Sequence, residues 1–468
     1  MNLRSRTARF SGQRVTVMGL GRFGGGVGAV RFLVERGARV TVTDLAREEE
    51  LADSLAQLDG LPIDRLVLGR HERQDFEQAD LVVVNPAVPC DSAFLQAARQ
   101  AGVPLTSEMN LFWLSNRGRT IGVTGSSGKS TTAALLDAIL QAAGVRSRLG
   151  GNIGTSLLPV VDEIEPDEWV VLELSSFQLD GLDGLAASPE IAVVTNFSPN
   201  HLDRHGTLAT YRRAKQTILR WQDSEQTAIL NCDDPDVSAW AVRGRTIWFG
   251  RASQALSLAS DGVFLDDESA CVRRHGEETR LPLATWLKLP GRHNQSNAAA
   301  AIAAAVTAGV APHQCEAGLG SFGGLPHRLE FVAERSGRRF YNDSKATTPE
   351  AAILALESFD APIVLLAGGS DKHVDLGAFA GAIRARVRAV ALMGETGATL
   401  WELLCGGRPE PPLPARACHT FDEALDWAWR NSTEGDVVLL SPGCASYDWF
   451  RDYTARGARF AEFVCRLT

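Results

Sequence analysis

Nothing in these 468 residues is both long and apolar enough to cross a bilayer as a helix. The most apolar stretch, AAAAIAAAVTAGVA (298–311), is too short and too rich in alanine. Positive charge is also short: 47 Lys and Arg stand against 56 Asp and Glu, a formal net charge of −9. That argues against a protein built to neutralise a nucleic-acid backbone, though not against a local basic site for a small anion. No C-x-x-C pair occurs. The eight cysteines (90, 232, 271, 315, 405, 418, 444 and 465) are scattered, with no histidine at zinc spacing, which is the usage of reduced thiols in a cytosolic enzyme. The opening MNLRSRTARF is basic, but no apolar segment follows it, so no secretory signal is expected. Internal repeats and low-complexity linkers are absent too. These absences predict a soluble, cytoplasmic protein with neither a nucleic-acid nor a membrane partner.

What is present is an alternation. Short β-branched runs, among them RVTVMG (14–19), RVTVTD (39–44), DLVVVN (80–85), RTIGVTG (119–125), WVVLELS (169–175), IAVVTN (191–196), TAILNC (227–232), PIVLLAGG (362–369), AVALMG (389–394) and DVVLLSPG (436–443), are separated by helical patterns. Several are nearly continuous apolar stretches, as strands covered on both faces are. The pattern predicts an α/β protein with doubly wound sheets. Breaks in it suggest three domains, 1–117, 118–325 and 326–468: a Rossmann-like domain, a central P-loop-type ATPase domain with a mostly parallel sheet, and a second Rossmann-like domain.

Two glycine-rich turns follow strands. In the first, Gly19, Gly21 and Gly24 spell G-x-G-x-x-G, and Asp44 follows roughly 20 residues past the third glycine, as in a dinucleotide-binding unit. On its own this supports a nicotinamide enzyme or an NAD-sensing protein. The second is TGSSGKSTT (124–132). A full phosphate loop wants a glycine five positions before Gly128, where Val123 stands, so this is a shortened variant, Gly125-x-x-Gly128-Lys129-Ser130. The physics survives the shortening. The glycines let the backbone curl with its N–H groups inward, Ser127 included, and the next helix aims its positive end at the anion. Lys129 can reach terminal phosphates, and Ser130 or Thr131 can ligate Mg²⁺. An NAD enzyme would leave this second turn without a task.

Glu173 and His201 each follow a strand whose C-terminal end gathers on the phosphate-loop side of an open parallel sheet. Carboxylate, imidazole and water suit Mg²⁺ or Mn²⁺. Taken singly, such a glutamate is also a helix cap or a surface charge, and such a histidine is also structural. Lys215, in the helical ATYRRAKQTIL (209–219), faces the same region and by spacing alone reads as a solvated lysine.

Together the stretches TGSSGKSTT, GGNIGTSLL, LELSSFQL, NHLDRHGTLATYRRAK, GRHNQSNAAAA, LPHRLEFV, NDSKAT, LLAGGSDK and LSPGCASYDWF, in this order, resemble the Mur ligase superfamily, the ATP-dependent amide-forming enzymes of peptidoglycan precursor synthesis. The resemblance runs nearly end to end. It implies an enzyme that adds D-glutamate to UDP-N-acetylmuramoyl-L-alanine through an acyl phosphate, using ATP and two Mg²⁺ ions, and acting as a monomer. By this resemblance Lys129 would hold ATP phosphates, and Ser130, Thr131, Glu173 and His201 would arrange the metals. Lys215 would carry a carbamate that helps place the second metal. Asn294 and Asn297 match adenine-side residues, and Arg328 and Asp343 match residues reaching ATP from the last domain. Thr347, Lys372, Ser446 and Tyr453 fall where the family grips the incoming amino acid. Asn152 and Ser175 fall at the muramoyl-alanine end, while Gly19, Gly21, Gly24 and Asp44 fall where UDP is held. Domain closure, hinged near 321–328, would complete the site. Three positions near the amino-acid pocket depart from the family pattern: Thr348 for a common asparagine, Tyr447 for leucine and Tyr453 for phenylalanine. NPAVP (85–89) stands where SPG(I/V) is common. The pocket departures leave an L-glutamate-adding ligase as an alternative.

Overall fold

The computed structural model describes residues 10–21, 24–154, 156–251, 261–371 and 374–467, the side chains of 202 and 203 excepted. Lys372 lies outside the described residues. Two compact units divide the chain, one of Met1–Leu283 with Asn297–Leu319, the other of Ala284–Ser296 with Gly320–Thr468.

The first unit holds two sheets. Strands β1 (Arg14–Met18), β2 (Arg39–Asp44), β3 (Arg65–Leu68), β4 (Leu81–Val84) and β5 (Leu105–Thr106) lie in the order β3-β2-β1-β4-β5, and every neighbouring pair is parallel. The strand order reverses between β1 and β4. That crevice is where doubly wound sheets bind ligands, and the first glycine turn opens into it, ahead of helix α1 (Gly25–Glu35).

The second sheet has nine strands. Five matter for the site: β6 (Arg119–Thr124), β7 (Ser147–Gly151), β8 (Trp169–Glu173), β9 (Ile191–Val194) and β10 (Thr227–Asn231), in the order β10-β9-β6-β8-β7, all parallel. β8, β9 and β10 are buried at every residue, because helices cover both faces. Those helices include α2 (Lys129–Ala142), α3 (Ser176–Asp183), α4 (Leu208–Arg220) and the start-to-end apolar α5 segment from residue 298 to 305 of helix α5 (Arg292–Thr307). Beyond β10 the sheet continues in parallel through Arg245–Gly250 and Gly262–Leu265, and then antiparallel through Ala270–Arg274 and Glu277–Leu281.

The second unit carries a six-stranded sheet that is parallel except for one antiparallel pair, Glu330–Arg335 with Arg338–Asn342. Its central strand Ile363–Gly368 is wholly buried. The last helix, α6 (Tyr453–Arg466), is capped by Asp452. None of the eight cysteines is disulfide-bonded. Cys315, Cys405, Cys418 and Cys444 are buried, and Cys90 and Cys465 are exposed. Among the described residues no helix is long and apolar enough to cross a membrane.

Candidate active site

Strand β6 ends at Thr124, and the chain turns through Gly125 and Gly128, both at positive φ (150° and 79°), into α2. A Cβ at Gly125 would collide with the Thr195 hydroxyl, and one at Gly128 with the Asn297 side-chain oxygen. Only glycine serves at both positions. Asn196, just past β9, braces the loop: its carbonyl accepts from Ser126 N (3.0 Å), its Oδ1 from Ser127 N (2.9 Å), and its Nδ2 donates to Ser127 O (3.1 Å). Ser130 and Thr131 are buried in the first turn of α2. Lys129 folds back so that its Nζ donates to Gly125 O (3.0 Å) and Ser126 O (3.1 Å).

Helix α4 delivers a second amine to the same carbonyl. Lys215 is 1% exposed, and its Nζ donates to Gly125 O at 2.6 Å. Burial pushes its pKa well below the ordinary value of 10.5; the neighbouring Lys129 charge acts the same way, and Glu173 opposes them. A lysine so placed spends more of its time as a neutral, nucleophilic amine. The solvated reading of this lysine, taken from spacing, is therefore overturned by its burial. Glu173 ends β8 and is 2% exposed. Asn152 Nδ2 donates to its Oε1 (2.9 Å), whereas Oε2 has no hydrogen-bond partner. A buried carboxylate oxygen without a donor costs free energy unless something else compensates it. Ser175 lies two residues further along the chain, but its hydroxyl caps α3 in a capping box with Gln178.

His201 sits at φ 51°, one of six described non-glycine residues at positive φ; His327 (61°) and Leu329 (43°) are two others. Half of these strained positions thus fall in segments the sequence marks as functional, and each costs of order 1 kcal/mol. Edge-on contacts with Phe177 (5.6 Å) and Tyr211 (6.2 Å) hold the His201 ring.

At the first glycine turn, a Cβ on Gly19 (φ 86°) would lie 2.8 Å from the Cβ of Asn85. Asn85 Nδ2 donates to Gly19 O (3.2 Å), and Asp44 Oδ2 accepts from Gly21 N (3.1 Å). Gly24, at φ 84°, is the N-cap of α1.

In the second unit Asn294 Nδ2 donates to Pro290 O (2.7 Å). Burial, and then the Arg328 charge, push the pKa of His293 below its usual value. Asp343 is buried. Its Oδ2 accepts from Ser441 Oγ (2.7 Å) and its Oδ1 from Leu329 N (3.1 Å), which fixes the segment bearing Arg328. Burial pushes the Asp343 pKa up from 3.8 to about 7 against those hydrogen bonds. An acid raised in the folded state contributes stability that is whole below its unfolded pKa and is lost as pH rises toward the folded one. Calorimetric melts should therefore show Asp343→Asn gaining on the wild type between about pH 4 and pH 7; parallel profiles would count against it. Thr347, half-buried, follows the same loop. Ser446 is 2% exposed, and Tyr453 opens α6. Arg456 is 1% exposed and donates to Ser344 Oγ (2.9 Å) and to the carbonyls of Ser344 (2.9 Å), Cys444 (3.1 Å) and Ala445 (3.0 Å). It binds the loop bearing Thr347 to the loop bearing Ser446.

Three family models match in succession: "Mur ligase MurD-like, N-terminal domain" over 13–107, "Mur ligase middle domain" over 123–305, and "Mur ligase, glutamate ligase domain" over 327–444. The UDP-N-acetylmuramoylalanine--D-glutamate ligase of Roseiflexus sp. (strain RS-1) is 43% identical over 469 residues, covering 98% of this chain and 100% of the relative. The chain belongs to the Mur ligase family. The enzyme of the same name from Geobacter metallireducens is 42% identical, with 98% of each chain covered. In fold, the chain is similar to UDP-N-acetylmuramate-alanine ligase MurC of Thermotoga maritima (TM-score 0.61, 22% identity, 97% of this chain and 99% of that one). It is likewise similar to MurF ligase of Thermotoga maritima in complex with ADP (TM-score 0.56, 18% identity, 98% and 95%).

As a Mur ligase the protein is an ATP-dependent amide-bond-forming enzyme of three α/β domains. Around the phosphate loop of this Mur ligase the fold gathers Gly125, Ser127, Gly128, Lys129, Lys215, Glu173 and Asn152 through direct bonds or charge interactions. Asn297 joins through Gly128 and through Thr132, whose hydroxyl lies 3.4 Å away. Sequence reasoning missed Asn196, Tyr211, Arg204 and Arg456. Only Asn196 carried a signal, since it ends the run IAVVTN beside the strand that feeds the loop.

Proposed function

We propose that the chain joins the amine of D-glutamate to the carboxyl group of UDP-N-acetylmuramoyl-L-alanine, cleaving ATP to ADP and phosphate, in the cytoplasm and as a monomer. The observation that carries this reading is the buried cluster at the C-terminal ends of β6, β8 and β9: two lysine amines on one loop carbonyl, near a glutamate with an orphan oxygen. A carboxylate is a poor electrophile. Its oxygen attacks the γ-phosphorus, ADP departs, and an acyl phosphate forms. The free amine of glutamate then attacks the carbonyl carbon, the tetrahedral adduct expels phosphate, and the amine's proton passes to solvent. In the first step two anions must meet, at a cost of about 4 kcal/mol at ~4 Å and an effective dielectric of 20. Lys129 offsets that repulsion, and the glycine turn fixes the phosphates.

The donor set fits Mg²⁺, a hard cation that takes oxygen ligands. Glu173 Oε2 is buried and unpartnered, and the Ser130 and Thr131 hydroxyls and His201 would complete two sites. When bound, Mg²⁺ supplies charge neutralisation to the phosphates. The depressed Lys215 amine is suited to attack CO₂, forming an N–C bond and releasing a proton, and the resulting carbamate adds a further oxygen donor. Residues 1–117 take the nucleotide through Gly19, Gly21, Gly24 and Asp44; Asn152 and Ser175 take the muramoyl-alanine end. Residues 118–325 bind ATP, with Asn294, Asn297, Arg328 and Asp343. Residues 326–468 hold glutamate, through the hydroxyls of Thr347 and Ser446 and the side chains of Lys372 and Tyr453.

The test is ADP release together with the mass and chirality of the product. Release should require UDP-N-acetylmuramoyl-L-alanine, D-glutamate and Mg²⁺ together. Turnover with L-glutamate alone would move the reading to the other enantiomer, and turnover with neither would end it.

A further inference from the structure

Arg204 has no place in the chemistry above, yet its bonds are unusual for an exposed side chain. Its guanidinium donates to three successive carbonyls of the loop after β4: Pro86 (3.0 Å), Ala87 (3.1 Å) and Val88 (3.2 Å). Both ends of this link lie in the first compact unit. The loop it grips is the one that touches the first glycine turn. Asn85 donates to Gly19 O (3.2 Å), and its own Oδ1 accepts from Ala87 N (3.0 Å).

On its other side the guanidinium lies over the Phe177 ring, 5.0 Å from the centroid. That ring is shared. His205 stacks on it at 5.0 Å with an interplanar angle of 5°, and His201 meets it edge-on at 5.6 Å. His205 is fixed in turn by Ser176 Oγ (2.9 Å). The backbone adds a direct link, since Arg204 N donates to the carbonyl of His201 (3.1 Å). His201 holds a left-handed conformation that a histidine does not keep unaided. A continuous set of contacts therefore runs from Gly19 through Asn85, the 86–88 carbonyls, Arg204 and Phe177 to His201.

We propose that Arg204 is a positioning residue that ties the nucleotide turn at Gly19 to His201, so that occupancy of the turn by the uridine diphosphate substrate sets the histidine for Mg²⁺ and ATP. The inference rests on the ligase reading above. The planar fork of arginine reaches several acceptors at once, which a lysine ammonium does only as a point charge. Coupling of this kind is a free energy between two sites and is reciprocal.

The experiment is calorimetric titration of Mg²⁺ and a non-hydrolysable ATP analogue into wild type, Arg204→Ala and Arg204→Lys, with and without saturating UDP-N-acetylmuramoyl-L-alanine. In the wild type the nucleotide-sugar should tighten analogue binding about 10-fold. In Arg204→Ala this ratio should fall to near one, while analogue affinity without the nucleotide-sugar stays at the wild-type level. Arg204→Lys should fall between them. An unchanged ratio in Arg204→Ala, a ratio of one in the wild type, or equal weakening with and without the nucleotide-sugar in a variant of lowered Tm would each overturn the inference. Wild-type turnover with D-glutamate alongside any of these results leaves the ligase reading standing. A wild type that neither binds the nucleotide-sugar nor turns over removes both.

Discussion

Replacing Lys215 by alanine should lower kcat by about 10²–10³-fold, the scale seen when one preorganised charge-stabilising group is removed. Added formate or acetate should restore part of the loss. The reasoning starts from burial. Lys215 is 1% exposed and bonded to the carbonyl of Gly125, the first residue of the phosphate loop. Its pKa is driven down by desolvation and by Lys129. A protonated ammonium in that position would add positive charge beside Lys129. A neutral amine that has taken up CO₂ instead presents a carboxylate on a long stem. Removing the side chain leaves a gap in which a small carboxylic acid can stand for the missing group, and this rescue separates a lost carbamate from a lost lysine charge. The variant should keep its fold, because the substitution also removes a buried amine that is costly to desolvate. Steady-state rates across a formate series, beside thermal melts, check both points. Full activity in Lys215→Ala would remove the carbamate from the mechanism.

Glu173→Gln should cost a similar factor, about 10²–10³ in kcat, and should raise the Mg²⁺ concentration needed for half-maximal rate. The two oxygens of Glu173 differ. Oε1 is held by Asn152, while Oε2 is buried and unpartnered. Glutamine keeps the shape but removes the charge. In the absence of substrates its Tm should equal or exceed that of the wild type, since an uncompensated buried oxygen is a liability to the free protein. Stability and activity then move in opposite senses. A plainly structural glutamate would give the reverse, with Tm falling and the Mg²⁺ requirement unchanged.

Much of the fold was legible because its central strands are buried on both faces. The ten apolar runs each contain or overlap a strand, from RVTVMG at β1 to DVVLLSPG at Val437–Leu440. Most of the strands that escaped notice are polar or at sheet edges; Arg245–Gly250 (RTIWFG) and Gly262–Leu265 (GVFL), inside the nine-stranded sheet, are the exceptions. Glu277–Leu281 reads EETRL and is exposed at four of five positions, so it carries no apolar signature for its pairing to reveal. The candidate site divides in the same way. Gly125, Gly128 and Lys129 announce themselves by spacing, because a phosphate loop is a local backbone structure. Lys215 does not: its burial comes from α4 packing a lysine beneath a loop 90 residues earlier in the chain. Arg204 and Arg456 bond mainly to carbonyls, which leave no trace in side-chain patterns. The first glycine turn misled in the other direction. It announces a Rossmann-like domain correctly, but alone it suggests NAD; the second turn, a hundred residues on, points to ATP instead.

The eight free thiols give the molecule a set of built-in reporters. Alkylation depends on exposed thiolate, so Cys90 and Cys465 should react with the native protein while the buried four wait for local opening. Burial pushes Cys315 up to about 12 and Cys418 up to about 11, which slows any reagent that does reach them. Cys315 belongs to the first compact unit, and Cys405, Cys418 and Cys444 to the second. The order in which these thiols become labelled under rising denaturant thus times the loosening of each unit separately, with no dye or tag added to the chain.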